Sequence, residues 1–257
     1  NPFLFYDVKQ CFKFHRIRCI DFLIIPFFKK IGFVLESISF YFVAKYYIYH
    51  HSADIYYTRD LLLALVLPKE KLYCEVHWLP ERVRWYHRRA YKPVRGIIVI
   101  SNGIKSDLVK LGMPEEKICM ARDAVDLKQF QIVLSKAGAR KRLSLSLDQK
   151  IVVYTGHLYD WKGADNIASA ASKLPSIEVY LVGGTEEDIR RFKVTYKAPN
   201  LHIVGWRKHE EIPLWLAAAD VLVLPNSAKL RIGAKDTSPL KIFEYMACGR
   251  TVVAAAL

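Results

Sequence analysis

From Lys235 to Gly249 the chain reads KDTSPLKIFEYMACG, and its polar groups crowd the start of a helical pattern. Leu240, Phe243, Met246 and Ala247 recur at helical spacing, Ser238 is a favoured N-cap, Pro239 suits the first helical position and Gly249 supplies the stop. A helix start presents N–H groups that can hold an anion, and one carboxylate, Glu244, follows six residues after Ser238 in an otherwise apolar run. Comparable tools recur upstream: Gly156-His157 with Lys162-Gly163, Gly183-Gly184-Thr185, Gly205-Trp206 and Pro225-Asn226. Glycine lets backbone approach a ligand, and lysine adds a point charge for phosphate. Together these groups describe a site for a phosphorylated ligand. There is no GxGxxG after a strand and no GxxxxGK[ST], so neither a dinucleotide oxidoreductase nor a P-loop NTPase is supported.

The elements that must position these groups alternate. Strands are expected at KIVVYT (150–155), IEVYLVGG, LHIVGW, DVLVLP and RTVVAAA, with helices over 165–174, 185–193 and 210–219 and from Pro239. Continuous apolar strands between helices are the pattern of a parallel sheet covered on both faces, with ligands bound beyond the carboxyl ends of the strands. The front half repeats the alternation: DIYYT, KLYCEVH, RGIIVIS and KICMARDAV read as strands, TRDLLLALVL and 104–111 as helices. Residues 134–149, rich in Lys, Arg and Ser, read as a linker between a front domain at 1–133 and a back domain at 150–257.

The formal charge of +14 is uneven, with 16 Lys/Arg against 8 Asp/Glu in residues 1–100 and 23 against 17 in the rest. This balance suits an anionic partner without choosing among nucleotide, membrane and nucleic acid. Five scattered cysteines, with no CxxC and no histidine cluster, read as reduced thiols in a cytosolic protein, and no structural metal is expected. Between Ile20 and Tyr49 the apolar run is broken by Lys29, Lys30, Glu36 and Lys45, so a buried or membrane-touching helix is expected there rather than a spanning one.

YTGHLYDWKGAD, VGGTEEDIRRF, AAADVLVLPNSAK and TSPLKIFEYMACGR, in this order, resemble the donor-binding domain of retaining glycosyltransferases of family 4, which have the GT-B fold; DIYYTRD, YCEVHWLPE and IIVISNGIKSDLVKLGMPEEKI resemble that family's front domain. The resemblance implies an α/β chain of two Rossmann-like domains with parallel sheets facing across a cleft. It also implies a hexosyltransferase-type enzyme that moves a sugar from a nucleotide-sugar donor to an acceptor hydroxyl, with retention and without a metal or other cofactor. By resemblance, Glu244 holds the donor ribose, while Gly156, His157, Gly183, Gly184, Gly205, Thr237, Ser238, Pro239 and Leu240 surround the donor. Lys162 is expected to stabilise the charge that grows on the departing diphosphate. Where the family has an arginine near Gly156 this chain has His157, and Lys241 or Arg231 could supply part of the missing field. Asp236, eight positions before Glu244, stands where the family often has an acidic residue near the transferred sugar, but it is also a common turn residue.

His77, at the end of KLYCEVH, could position the donor sugar or acceptor, or take the acceptor's proton. Residues 79–95 interleave Arg82, Arg84, Arg88, Arg89, Lys92 and Arg95 with Trp85, Tyr86 and Tyr91, which suits an anionic membrane surface, an acidic acceptor or a solvated basic face. No RNA-binding motif accompanies the charge, so nucleic acid is not the expected partner. The acceptor could be a glycan, a lipid-linked or a small molecule, and the protein is placed in the cytoplasm, peripheral to the inner membrane face. Against the family pattern the chain reads as truncated at both ends, with an incomplete front domain and a back domain lacking its C-terminal end. A GT-B-like sugar-nucleotide epimerase, or a fragment that binds a nucleotide sugar without transferring it, are the alternatives.

Overall fold

A computed structural model of the chain describes residues 2–5, 9–20, 29–80, 82–130, 134–228, 230, 231, 233, 236 and 238–256. By its contacts the chain divides into two compact units, Asn1–Glu75 with Arg84–Ile97, and Val76–Val83 with Ile98–Leu257. In the first unit a short helical turn, Pro2–Phe5, precedes helix α1 (Lys29–His50), which is followed by β1 (Tyr56–Thr58), α2 (Leu61–Val66), β2 (Leu72–Val76), α3 (Trp85–Tyr91) and β3 (Gly96–Val99). Helix α2 starts where Asp60 accepts a hydrogen bond from the Leu63 amide, which satisfies one of the amides a helix start leaves unpaired. The second unit continues with α4 (Asn102–Lys110), capped by Ser101, and β4 (Ile118–Met120). The first sheet has the strand order β1-β2-β3-β4, and β1 pairs with β2 in parallel.

The stretch read as a linker forms helix α5 (Lys136–Arg142), capped by Ser135. Then come β5 (Lys150–Thr155), α6 (Ala164–Ala171), β6 (Ile177–Val182), α7 (Glu186–Thr195), β7 (Leu201–Gly205), α8 (Ile212–Ala218), β8 (Val221–Leu224), α9 (Leu240–Ala247) and β9 (Thr251–Ala254). The second sheet has the order β7-β6-β5-β8-β9, and its neighbours pair in parallel.

Strand periodicity divides the core of this sheet. Ile151 and Val153 face Trp215, Leu216, Leu222 and Tyr245 on one side; Tyr154 faces Leu158, Ile167, Leu181 and Phe192 on the other. Both faces are therefore apolar, which is why the strands read as uninterrupted apolar runs. Each fully buried Leu or Ile here contributes about 1.5–3 kcal/mol.

Helix α1 departs from expectation. By length and composition, Ile31–His50 is long and apolar enough to cross a membrane, with a mean hydropathy of 1.3, and only 11% of it is buried. Ile31, Leu35, Ile38, Phe42, Tyr46 and Tyr49 are all exposed, whereas Gly32 and Ala44 are buried. The lysines that flank and interrupt the run hide its apolarity when residues are simply counted along the chain.

Candidate functional site

Three strand ends meet in glycine. The Gly156 amide donates to the Val182 carbonyl at 2.9 Å, and the Gly183 amide donates to the Gly205 carbonyl at 2.8 Å. Gly183 has φ +128°, and a Cβ there would overlap the Gly156 carbonyl, so only glycine permits this approach. Beyond these ends lies a cavity of about 310 Å³, lined by Gly156, His157, Val182, Gly183, Gly184, Trp206, Arg207, His209, Ile212 and Lys241. Its position past the carboxyl ends of parallel strands is the one such sheets use for ligands. The His157 ring stacks on Tyr159 at 4.8 Å with an interplanar angle of 4°, and the His157 carbonyl accepts the Tyr154 hydroxyl at 2.7 Å.

The loop after β5 is held from several sides. Arg191 of α7 donates to the Leu158 carbonyl at 2.7 Å and to Asp160 at 3.2 Å, and the Ser227 amide donates to the Trp161 carbonyl at 3.0 Å. A 3₁₀ turn, Asp160–Lys162, ends at Gly163 with φ +74°, where a Cβ would overlap the Pro225 carbonyl. The Lys162 ammonium lies 4.1 Å from the centroid of the Trp161 ring. Burial lowers its pKa below the ordinary lysine value, and the positive charge of Lys241 lowers it further.

Helix α9 brings in the acidic group. The Tyr245 hydroxyl accepts the Thr155 amide at 3.0 Å, which fixes the helix against the end of β5. One residue earlier, Glu244 is buried, and the Lys241 ammonium donates to its two carboxylate oxygens at 2.9 and 3.3 Å. The structure thus pairs Lys241 with Glu244 and places Lys241 on the cavity wall, whereas Lys162 and Glu244 are not among the residues that line the cavity. Glu244 is not a solvated helix residue: its carboxylate is out of water and paired.

The expected helix start is displaced. Helix α9 begins at Leu240, and the cap position is Pro239, whose ψ of 105° is extended. Ser238 makes no cap; its hydroxyl accepts the Asp123 amide at 3.2 Å. Leu240 is half exposed, and Thr237 lies outside the described residues. Asp236 is 2% exposed and takes hydrogen bonds from Arg231 at 3.1 and 3.2 Å, while Arg231 also pairs with Asp107 of α4. Arg231 is therefore committed to two carboxylates. His77, immediately after β2, is half-buried and is not on the cavity wall. In 79–95, Arg84, Trp85, Arg88, Arg89 and Lys92 are exposed, His87 and Tyr91 are buried, and Glu81 lies outside the described residues.

Of the expected donor residues, Gly156, His157, Gly183 and Gly184 line the cavity, and Gly205 closes β7 beside it. Arg207, His209 and Ile212 were not among them, although they follow β7 and the strand-end rule points to that loop. Among the described residues, no group of three or more His, Cys, Asp or Glu is placed to hold a metal ion.

Parallel sheets, this strand order and strand-end glycines define an α/β fold of the GT-B glycosyltransferase type. Comparison with known proteins agrees: residues 149–257 match the model of the family described as glycosyl transferases group 1. Alpha-galactosylglucosyldiacylglycerol synthase of Streptococcus pneumoniae is 27% identical over 175 residues, 65% of this chain and 45% of that protein. Among solved structures, sucrose-phosphate synthase from Thermosynechococcus elongatus superposes with a TM-score of 0.67 at 21% identity, covering 86% of this chain and 60% of that one. HepE of Anabaena, solved in complex with UDP, gives 0.63 at 20%, covering 86% and 64%. The chain spans less than half the length of these curated relatives, 45% of the pneumococcal synthase and 30% of the D-inositol 3-phosphate glycosyltransferase of Mycobacterium bovis, to which it is 26% identical over 161 residues, 57% of this chain.

Proposed function

We propose that this chain is part of a glycosyltransferase that moves a hexose from a nucleotide-sugar donor to an acceptor hydroxyl, with retention and without a metal ion. The observation that carries the reading is the pairing of buried Glu244 with Lys241 on the wall of a glycine-lined cavity, inside the segment that matches the group 1 glycosyltransferase model. The division proposed is a front, acceptor-side domain at 1–133 and a donor domain at 150–257. The donor's diphosphate lies against the Gly156, Gly183 and Gly184 backbone and the first turn of α9, where a helix start favours an anion. Lys162 stabilises the negative charge that develops there as the sugar leaves; because it is already shielded from water, its ammonium acts at higher strength than an exposed one would. Glu244 accepts hydrogen bonds from the ribose hydroxyls, and the exposed Trp206 offers a face for the base.

Asp236, neutralised by Arg231, shapes the sugar pocket rather than acting as a base. His77 positions donor sugar or acceptor. The acceptor is a glycan, a lipid-linked or a small molecule: the pneumococcal relative is named a synthase of a glycosyl diacylglycerol. The protein works in the cytoplasm, at the inner face of the membrane, with the basic residues of 79–95 toward anionic lipid. Thermal-shift screening against nucleoside diphosphates and their sugars tests the donor site, and stabilisation by at least one pair is expected. If none stabilises the chain, the donor assignment fails.

A further inference from the structure

Lys241 does more than neutralise Glu244. Its ammonium spans both oxygens of a buried carboxylate, yet its side chain also lines the cavity alongside Gly156, His157 and Gly183. A second ammonium, Lys162, belongs to the loop that follows β5, and the positive charge of Lys241 helps to lower its pKa. Arg207 and Lys241 are cations on the cavity wall and Glu244 is the carboxylate paired with Lys241, so positive charge is in excess there, and in a partly desolvated pocket like charges repel more strongly than in water. Arg231, the other cation considered from sequence, is held by Asp107 and Asp236. Lys241, by contrast, shares a single carboxylate and reaches the cavity.

We infer that Lys241 is a second anion-binding residue of this pocket, acting with Lys162 on the donor's diphosphate, and that Glu244 and the bound anion compete for its ammonium. The inference rests on the donor reading above and extends it. With the pocket empty, Glu244 keeps its counter-ion and Lys241 is parked. When the diphosphate enters, the ammonium turns toward it, and the carboxylate oxygens are released to accept the ribose hydroxyls. No covalent step is involved; one charge-assisted hydrogen bond is exchanged for others. Lys241 is thereby a binding residue whose resting partner sets how tightly it holds phosphate.

Inorganic pyrophosphate has no ribose and separates the two roles of the pair. Calorimetric titration of pyrophosphate into the full chain at fixed low salt is expected to show Lys241→Met weaker than wild type by about tenfold or more, the loss of one charge-assisted hydrogen bond. Lys241→Arg should recover most of that loss. Glu244→Gln, which frees Lys241, should bind pyrophosphate more tightly than wild type, and Lys241→Met combined with Glu244→Gln should lose that gain. The inference is overturned if Lys241→Met and wild type bind pyrophosphate equally, or if the gain from Glu244→Gln persists without Lys241. A nucleoside diphosphate run alongside distinguishes the failures. Binding in wild type that is unchanged in Lys241→Met sinks this inference alone, whereas no binding of either ligand to wild type sinks the donor reading with it.

Discussion

At the scale of single residues, the account turns on charges taken out of water. Glu244 has 8% of its side chain exposed, and one ammonium to balance it. Removing the carboxylate should weaken a nucleoside diphosphate, which has ribose hydroxyls to lose, while pyrophosphate, which has none, should bind no more weakly than to wild type. A loss of about tenfold on the nucleotide is expected for Glu244→Ala, read by parallel titrations. Lys162 offers a pH test with a defined sign. Burial, reinforced by Lys241, lowers its pKa, so its ammonium loses its proton below the pH at which a free lysine would. Diphosphate affinity should therefore fall as pH rises through that lowered pKa, and Lys162→Arg, which stays charged, should hold its affinity across the same range. An identical alkaline decline in both proteins would remove Lys162 from the site.

At the scale of elements, the network around Asp220 ties the back sheet together. Arg140 of α5, 2% exposed, donates to Asp220 at 2.6 Å, to the Ala218 carbonyl at 2.9 Å and to the Leu147 and Gln149 carbonyls at 3.0 Å. Burial works to raise the Asp220 pKa, but hydrogen bonds from Lys136, the Ile151 amide and Arg140 outweigh it and hold the carboxyl down at about 2. A depressed carboxyl stabilises the fold above its unfolded pKa, near 3.9, and that contribution is lost as pH falls toward 2; it amounts to about 2 kcal/mol. Asp220→Asn should unfold more easily than wild type at neutral pH, and the gap should close between about pH 4 and pH 2 in chemical denaturation. The same network explains what could be read beforehand. The strands of the back sheet were legible because burial on both faces leaves unbroken apolar runs such as Ile151–Tyr154. Helix α5 was not, since Lys136–Arg142 has no apolar period and is held by tertiary bonds from Arg140 to residues about 80 positions away. For the same reason the start of α9 was misplaced by one residue: the Ser238 hydroxyl that looked like a cap is taken by an amide 115 positions earlier. Glycines at strand ends announced the cavity, but the pairing of Lys241 with Glu244 depends on how deeply that helix is buried, which spacing does not encode.

At the scale of the whole molecule, the net charge of +14 and the exposed apolar stripe of α1 are the two features that sequence-wide counts treat differently. The charge was evident at once, and it implies that anion binding weakens with salt. The stripe was concealed by lysines and becomes visible only when the exposed side of the helix is known. Such a surface should bind a hydrophobic dye, and replacing Ile38 and Phe42 with glutamate should reduce the fluorescence while leaving far-ultraviolet circular dichroism unchanged. Equal dye binding in both proteins would show that the stripe is covered. The central claim is narrower: Lys162, the glycine-lined strand ends and Glu244 form one donor pocket. Titration calorimetry of UDP, GDP, ADP and CDP into wild type and Lys162→Ala tests it most directly. The account predicts saturable binding of at least one of them, weakened about tenfold or more in the variant; the absence of binding to wild type, or equal affinity in both proteins, would contradict it.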